Sequence, residues 1–554
     1  MDAQATKDTP HDGGATARRL LLVGLDGATF DVLLPLAEAG RLPVLAELMR
    51  AGSHAPLAST IPPITPTAWT TVFTGKNPGK HGIYDFRELD PATYARRPVH
   101  VDRHRQKSLW DLLGVRGRRS IVLDVPFTYP PRPLEGLMLT GYGTPRTPGT
   151  RFTYPHDLTG LLPPELHDQI RVALPAHAFD RSRAFVDEWR AIMDGRRRLL
   201  AHLARHEPWD FFFAVFSITD NMAHVFWTFL DPAHPNYERA EAPAFREAFL
   251  GAYEQCDAAL GELLAAAGPD VNVLVMSDHG FGSIYTRQFL FERLASGGFL
   301  QYSGGQLNVR GRLLRLLLAA YTRAPFLREM VKALRPGGKQ LLNEGLRRTG
   351  LMPENAAVDT ARSPLLPTDF GLQLWVNSRD RFPQGPVDPA ERAALLDRAS
   401  AHLRAATAPD GQPIVAATYR GAELYHGPEA AAGPDLIIEL ANFYRPDGGG
   451  ARNPHLEGGH TPQGIFIAAG PDIARDARLP EPALVDLAPT VLHLLGEAVP
   501  PDMDGRVLAG LEAAPHPVRR GTEPAVRDDQ RETADFTPAE RAELEDQLRQ
   551  LGYL

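Results

Sequence analysis

Short, continuous apolar runs recur along this chain, and each is about as long as one β-strand. They lie at Arg19–Leu25, Phe211–Phe216, Val271–Met276, Leu436–Leu440 and Ile465–Ala469. Runs of this kind are typical of strands that are buried on both faces of a sheet. Longer amphipathic stretches lie between them and predict helices at Phe30–Ala51, Ser182–His206 and Ala242–Ala267. The alternation predicts an α/β fold, a three-layer sandwich with a mostly parallel central sheet and inserted cap or lid segments.

Composition excludes several classes of protein. Of the 554 residues, 43% are hydrophobic and 23% are charged, close to the averages of globular proteins. The formal net charge of −8 creates no overall positive field, so we expect no stable nucleic-acid partner. The single cysteine, Cys256, excludes an intrachain disulfide framework, a cysteine-rich zinc site and an iron–sulfur cluster. We find no secretory signal and no apolar run of 18 residues, so we expect a cytoplasmic protein without a transmembrane helix.

The domain organisation follows from shifts in composition along the chain. We predict a disordered tail at 1–18, a catalytic domain at 19–510 with insertions at about 84–180 and 300–360, and a charged C-terminal tail at 511–554. This tail ends in a short helix, for which Thr537 is the predicted N-cap and Glu540 completes a capping box. We assign that helix no chemistry.

One part of the second insertion is strongly basic. Between Gly305 and Gly350 the sequence has ten Lys or Arg residues and two Glu residues, with leucines at helical spacing. Three interpretations stay open: a lid whose basic face is solvated, a surface for an anionic substrate, or a peripheral contact with acidic lipid through 305–350.

Acidic residues and histidines follow several predicted strands. They are Asp26, the pair Asp220 and His224, the pair Asp278 and His279, and His460. A single aspartate after a strand is as often a helix cap, but ligands of open α/β sheets bind beyond the carboxyl ends of the strands. Three carboxylates and three imidazoles match the needs of two metal ions with three or four ligands each. Mixed carboxylate and imidazole ligation without thiolate suits zinc or manganese better than copper or an iron–sulfur cluster, and we expect zinc, with manganese as the alternative.

Thr65 is a candidate nucleophile. It lies in a proline-bounded turn just before a predicted helix, where partial positive charge favours an anion such as phosphate or an alkoxide. Coordination to a metal would make its hydroxyl a nucleophile at moderate pH. Considered alone, Thr65 is also an ordinary N-cap threonine.

An ordered set of motifs resembles the alkaline phosphatase superfamily, nearest to its type I phosphodiesterase/nucleotide pyrophosphatase branch and the related bacterial phosphohydrolase/phosphomutase-like proteins. The set is G-L-D-G (24–27), T-P-T-A-W-T-T-V-F-T-G (65–75), N-P-G-K-H-G-I (77–83), D-x-x-x-H (220–224), S-D-H-G (277–280), G-G-H (458–460), G-I-F-I-A-A-G-P (464–471) and D-L-A-P-T-V-L-H-L-L-G (486–496).

This resemblance implies a role for each matched residue. One metal would be held by Asp220, His224 and His460, and the other by Asp26, Asp278, His279 and the Thr65 oxygen. Thr65 would attack a small-molecule phosphoester and form a phosphothreonine that water hydrolyses. The substrate that the resemblance favours is a diester. The pattern has asparagine where this chain has Ala68, so Asn77 and Lys80 become the candidates for contacting the phosphate. His81 matches a histidine of the branch that is not a metal ligand.

Other activities on the same scaffold stay open at this point. They are a phosphomonoesterase, a phosphoryl or phospho-alkyl transferase or mutase, and a non-catalytic metal-binding protein. A sulfatase is excluded because Cys256 lies in Q-C-D-A-A and lacks the required context. Oligomeric state is left open.

Overall fold

The structure, a computed structural model, describes residues 19–104, 106–172, 183–302, 358–446, 453–526 and 536–550. The predicted tail at 1–18 and the basic segment 305–350 lie outside these residues. The chain divides into two compact units. The larger contains the described residues of 19–89, 96–286 and 406–550, and the smaller contains those of 90–95 and 287–405.

Sixteen strands lie in the described ranges. They are β1 (Arg19–Leu25), β2 (Ser53–Ala58), β3 (Arg87–Leu89), β4 (Arg96–Pro98), β5 (Ser120–Val125), β6 (Gly136–Thr140), β7 (Thr153–Tyr154), β8 (Phe211–Phe216), β9 (Val271–Met276), β10 (Gly280–Tyr285), β11 (Leu365–Pro367), β12 (Gln373–Val376), β13 (Val415–Arg420), β14 (Leu436–Leu440), β15 (Leu456–Thr461) and β16 (Gln463–Ala469).

The α-helices of the described ranges follow the same order. They are α1 (Phe30–Glu38), α2 (Pro43–Ala51), α3 (Thr65–Thr74), α4 (Pro78–His81), α5 (Leu109–Gly114), α6 (Arg183–His206), α7 (Ile218–Leu230), α8 (Ala242–Ala267), α9 (Arg287–Ser296), α10 (Arg392–Arg404), α11 (Gly421–Leu424), α12 (Leu487–Leu494) and α13 (Pro538–Gln550).

The larger unit is built on a central sheet whose strand order, within the described residues, is β2-β16-β9-β1-β8-β5-β6-β7. Strands β9, β1, β8, β5 and β6 run parallel to one another. Strand β16 is antiparallel to both β9 and β2, and β7 is antiparallel to β6. The predicted α/β fold with a mostly parallel sheet is therefore confirmed.

Two apolar layers cover the sheet, one on each face. Along β1, Leu21, Val23 and Leu25 face a core formed with helices α1, α2, α6, α7 and α8. Leu20 and Leu22 face the opposite core, formed with α3, α5 and α12. This alternation follows from the two-residue period of a strand, and it explains why β1 is a continuous apolar run rather than an alternating one.

Three sequence predictions about this unit need correction. The helix predicted at Phe30–Ala51 is two helices, because Gly40 takes a positive φ of 73° and Pro43 starts α2. The run Leu436–Leu440 is a strand, but it pairs with β13 outside the central sheet. Residues 84–180 are not wholly an insertion, since β5 and β6 lie within them and belong to that sheet.

In the smaller unit, helices α9 and α10 pack side by side. The guanidinium of Arg293 in α9 donates hydrogen bonds of 3.0 and 2.6 Å from its Nε and Nη2 to the carbonyl of His402 in α10. Strands β11 and β12 pair antiparallel within the same unit.

The predicted capping box at the C-terminal helix is confirmed. The amide of Thr537 donates to Glu540 Oε2 at 2.9 Å, and the amide of Glu540 donates to Thr537 Oγ1 at 3.3 Å. None of the helices in the described ranges combines the length and apolar character that crossing a bilayer requires.

Gly24 in β1 allows α3 to lie directly against the sheet. A Cβ atom at this position would come within 2.3 Å of the Trp69 ring and 3.0 Å of Val215 Cγ2. Since Trp69 is fully buried, we expect Gly24→Ala to lower the free energy of unfolding by roughly 1–3 kcal/mol, measured by denaturant titration. Gly160→Ala is the control, because nothing lies within 4 Å of its Cβ position. Equal stability of the two variants would contradict this account of the packing.

Candidate active site

Three neighbouring strands bring the predicted acidic residues to one edge of the central sheet. Strand β1 pairs in parallel with β8 on one side and β9 on the other. The carboxyl ends of parallel strands meet at the same edge, so the segments that follow them are neighbours. Asp26 follows β1, Asp220 lies in the first turn of α7 after β8, and Asp278 follows β9.

The histidines reach this edge by two routes. His224 lies one turn after Asp220 in α7, and an i,i+4 pair shares one face of a helix. His279 directly follows Asp278. His460 comes from far along the chain: β15 pairs antiparallel with β10, and this register sets His460 opposite Phe281, next to His279.

The first group of candidate ligands is Asp220, His224 and His460. The Nε2 atoms of the two histidines are 2.9 Å apart, and each lies 3.3 Å from Asp220 Oδ1. The two rings are tilted by 60° with centroids 5.0 Å apart. Their nitrogens therefore converge on one point beside the carboxylate, which suits a single cation.

The second group is Asp26, Asp278 and His279. His279 Nε2 lies 3.3 Å from Asp278 Oδ2 and 3.7 Å from Asp26 Oδ1. Thr65 Oγ1 lies 3.4 Å from the same nitrogen. The rings of His279 and His460 stack with centroids 3.6 Å apart, so the two groups are adjacent.

Backbone carbonyls select the tautomers of two histidines. His460 Nδ1 lies 2.8 Å from the carbonyl oxygen of Pro63, and His279 Nδ1 lies 3.0 Å from that of Gly280. A carbonyl oxygen can only accept, so Nδ1 carries the proton in each ring. The lone pair is then on Nε2, the atom that faces the carboxylates, as a metal ligand requires.

Three carboxylate oxygens in these groups have no hydrogen-bond donor among the described residues: Asp26 Oδ1, Asp220 Oδ1 and Asp278 Oδ2. They are the same atoms that face the histidine nitrogens. Buried oxygens of this kind are costly unless a donor or a cation satisfies them. The donor set of carboxylate oxygen and imidazole nitrogen therefore fits divalent cations in both groups.

Burial and the charges of neighbouring groups shift the pKa values of several side chains in the cluster. Burial raises the pKa of Asp278 to about 8, and the charge of Asp220 adds to this effect. Burial and the neighbouring Asp278 and Asp220 also raise the pKa of Asp26 well above its usual value. Burial lowers the pKa of His279. For Asp220, burial opposes ionisation, but His224 and His460 outweigh it and lower the pKa.

Thr65 begins helix α3, directly after the N-cap residue Ile64, and its side chain is buried. It is therefore not an N-cap threonine. Its hydroxyl lies at the positive end of the helix dipole. Trp69, one turn further along, donates from Nε1 to Asp26 Oδ2 at 3.2 Å. Trp69 is not among the site residues predicted from the sequence, although its i,i+4 spacing from Thr65 places both on one face of α3.

The structure does not bring the two candidate phosphate contacts to the cluster. Helix α3 runs for ten residues, or about 15 Å, between Thr65 and the segment that holds them. Asn77 caps α4 and contacts His426 and Asp504, and Lys80 Nζ contacts Asp504 and the carbonyl of Asp502. Their polar groups therefore join the chain segments at the far end of α3.

His81 is a packing residue. The amide of Ile83 donates to its Nδ1 at 3.1 Å, so the proton is on Nε2, which lies 3.1 Å from Thr71 Oγ1. Burial lowers the pKa of His81 to about 3, which keeps the ring neutral. This geometry agrees with its omission from the predicted ligands.

Comparison with known families shows the class of protein to which this chain belongs. Residues 20–335, more than half of the chain, match the family of type I phosphodiesterases and nucleotide pyrophosphatases. The chain belongs to this family and is a phosphoric-ester hydrolase of the phosphodiesterase/pyrophosphatase type. The resemblance noted in the sequence is therefore confirmed.

The solved structures that the chain matches are distant from it in sequence. Phosphonoacetate hydrolase from Sinorhizobium meliloti 1021, in complex with phosphonoformate, is 13% identical with a TM-score of 0.49, and the match covers 87% of this chain and 95% of that one. Human ectonucleotide pyrophosphatase/phosphodiesterase 5 is 14% identical with a TM-score of 0.46, covering 90% and 100%. A search of curated proteins finds no match.

The raised pKa of Asp278 predicts how metal-free protein responds to pH. Between about pH 4 and pH 8 the folded state holds a proton on Asp278 that the unfolded chain has lost. The free energy of unfolding therefore falls as the pH rises through this window, by up to about 1.4 kcal/mol per pH unit for this proton. Thermal unfolding of chelated protein from pH 7 to 8 measures the effect, because His81 and His279, whose pKa values burial lowers, are neutral in both the folded and the unfolded state there.

Two comparisons complete this test. Asp278→Asn carries no titrating carboxyl, so its metal-free stability should fall less over the same range. Added zinc or manganese should raise the Tm of wild-type protein most at pH 8, where the carboxylates lose their protons most readily. A Tm of chelated wild-type protein that increases from pH 7 to 8 would contradict the raised pKa of Asp278.

Proposed function

We propose that this protein is a phosphodiesterase that uses two divalent metal ions and Thr65 as the nucleophile. One observation carries the proposal: Thr65 Oγ1 lies at the N-terminus of α3 and 3.4 Å from His279 Nε2, beside two adjacent groups of candidate metal ligands. A hydroxyl in that position can be deprotonated and can attack phosphorus.

We assign the two metals to the two groups of candidate ligands. Asp220, His224 and His460 would hold one ion, and Asp26, Asp278, His279 and the Thr65 oxygen would hold the other. The mixture of imidazole and carboxylate favours zinc, with manganese as the alternative. When bound, the two ions supply positive charge to the attacking and leaving oxygens.

The chain's own residues account for the steps of the reaction. Thr65 Oγ1 gives its proton to solvent and forms a bond to phosphorus while the bond to the leaving oxygen breaks, and that oxygen takes a proton from solvent and leaves as an alcohol. Water then attacks phosphorus, the bond to Thr65 Oγ1 breaks, and the threonine is regenerated. Trp69 holds Asp26 through its indole N–H during both steps.

The charge of the site supports a diester substrate over a monoester. A monoester carries up to two negative charges and a diester carries one. Lys76 is buried in contacts with Asp502, Gln106 and the carbonyl of Ala525, and Lys80 contacts Asp504. Neither of these two lysines lies at the cluster to neutralise a second negative charge on the substrate. This balance suits the less charged substrate.

We expect Thr65→Ala to abolish turnover of bis-p-nitrophenyl phosphate, by a factor of roughly a thousand or more, because the attacking oxygen is lost. Metal content and Tm should stay close to those of wild type. The matched control is Thr70→Ala in the same helix, where the lost hydroxyl bonds only the carbonyl of Pro66. Activity of more than a few percent in Thr65→Ala would rule out the covalent mechanism.

A comparison of substrates separates the remaining activities. We expect the diester, and a p-nitrophenyl ester of a nucleotide, to react faster than p-nitrophenyl phosphate. Turnover of the monoester alone would indicate a phosphomonoesterase. Transfer of the phosphoryl group to an added alcohol, in preference to water, would indicate a transferase or mutase.

Metal content tests the ligand assignment independently of activity. We expect about two equivalents of metal per wild-type chain after reconstitution, by elemental analysis, and about one equivalent in His460→Ala, because one group loses a ligand. The control is His426→Ala, which removes an exposed histidine that contacts Asn77 and Asp504 instead. Equal metal content in all three proteins would contradict the assignment.

A further inference from the structure

Two histidines and one glutamate come together in the larger unit, outside both groups of candidate ligands described above. His493 lies in the last turn of α12, and Glu512 and His516 lie in the segment that follows Leu511. His493 Nε2 lies 2.9 Å from Glu512 Oε2, and His516 Nδ1 lies 2.7 Å from Glu512 Oε1. One nitrogen of each imidazole ring therefore faces one oxygen of the same carboxylate.

The two imidazole rings lie against each other. The planes of His493 and His516 are 16° apart, and the ring centroids are 4.2 Å apart. One possible ligand atom from each of the three side chains lies within 4.8 Å of the others. Zinc binds imidazole nitrogen and carboxylate oxygen at about 2.0–2.2 Å, so small rotations of these side chains bring all three atoms onto a single ion.

The Nδ1 atom of His516 is buried and has no hydrogen-bond partner among the described residues, although the side chain as a whole is 30% exposed. Its close contact with Glu512 Oε1 is therefore not a hydrogen bond. A buried polar atom in this state costs free energy unless another group satisfies it. A cation that binds both the nitrogen and the carboxylate removes that cost.

The backbone on both sides of Glu512 is held in place. The amide of Ala513 donates to the carbonyl of Asp472 at 2.9 Å, and the amide of Ala474 donates to the carbonyl of Leu511 at 2.8 Å. These bonds fix Glu512 against the segment that follows β16, so its carboxylate has a defined position before any ion binds.

The backbone of His516 is restricted by its neighbours. Pro515 has a fixed φ, and Pro517 disfavours helical conformations of the residue before it. The amide of His516 also donates to Glu512 Oε2 at 3.4 Å. Ligands that are held in advance lose little conformational entropy when they bind, which favours a binding site over a chance meeting of side chains.

These residues lie at the opposite edge of the central sheet from the candidate active site. Asp472, which is bonded to Ala513, exchanges two hydrogen bonds with the side chain of Asn272 near the start of β9. Asp278 follows the other end of this strand. Strand β9 has six residues, so its two ends are about 20 Å apart. The three side chains therefore form a separate site.

From this geometry we propose that His493, Glu512 and His516 bind a zinc ion that joins the segment 511–517 to the end of α12. Two imidazoles and one carboxylate are a ligand set that zinc uses in proteins, with a fourth position for a solvent molecule. The ion stabilises the protein because it binds the folded chain, in which the three ligands are together. This inference does not rest on the proposed function, since it concerns stability and not turnover.

The first test counts the zinc bound at saturation. Because His516 is partly exposed, we expect its ion to exchange readily, so that desalting removes it and leaves the two equivalents of the active site. Elemental analysis of the desalted protein, followed by calorimetric titration with zinc, gives the total. The total should be one equivalent greater in wild type than in His516→Ala. Equal totals would overturn the proposal.

Two further variants sharpen this count. Glu512→Gln keeps the size of the side chain but removes its charge, and it should weaken binding of the additional ion at least about tenfold. His426→Ala is the matched control, because His426 is an exposed histidine that contacts one carboxylate, Asp504, at 2.9 Å. It should bind as much zinc as wild type. An equal loss of zinc in His426→Ala and His516→Ala would indicate adventitious binding to surface histidines and overturn the assignment.

The second test measures the stabilising effect. Zinc added to desalted wild-type protein should raise its Tm by about 2 °C or more, because the ion binds the folded state. The same addition to desalted His516→Ala should leave the Tm unchanged. A zinc-dependent rise of equal size in both proteins would overturn the stabilising role.

Hydrolysis of bis-p-nitrophenyl phosphate keeps this inference distinct from the proposed function. We expect His516→Ala to turn over the diester as fast as wild type when the active site of each holds its metals. If wild-type protein hydrolyses no phosphoester, the proposed function fails, while the zinc count and the Tm still test this site. If the diester is hydrolysed through Thr65 but wild type and His516→Ala bind equal amounts of zinc, only the further inference fails.

Discussion

The repulsion among three buried carboxylates at one edge of the sheet is the constraint on which the rest of the site depends. Asp26, Asp220 and Asp278 come together because β1 lies between β8 and β9. Without cations, the cluster responds by holding protons, as the raised pKa values of Asp26 and Asp278 indicate. A protein tolerates such an arrangement when positive charge is supplied to it.

Backbone carbonyls and an indole N–H around the cluster orient its side chains so that they can bind cations. The carbonyls of Pro63 and Gly280 fix which nitrogen of each histidine is free, and Trp69 holds one oxygen of Asp26. Trp69 can reach Asp26 only because Gly24 leaves room for its ring. The close packing at Gly24 thus affects the position of Asp26, a candidate metal ligand.

The C-terminal helix adds a second level of organisation to the same unit. Its capping box was evident in the sequence, but its contacts with the segment after β6 were not. Those contacts include the hydrogen bond from Gln547 Nε2 to the carbonyl of Thr144, and they join the helix to the segment that follows β6.

The sequence by itself determined the fold class, the family and the residues proposed for the site. An apolar run indicates that a single strand is buried, and D-x-x-x-H indicates that two side chains share one face of a helix. Both features can be identified from the sequence because they depend on local spacing. Only the tertiary structure decided that β5 and β6 join the sheet, that Asn77 and Lys80 lie at the far end of α3, and that Trp69 reaches Asp26. Those relations depend on strand order and on contacts between distant segments, which no local periodicity encodes.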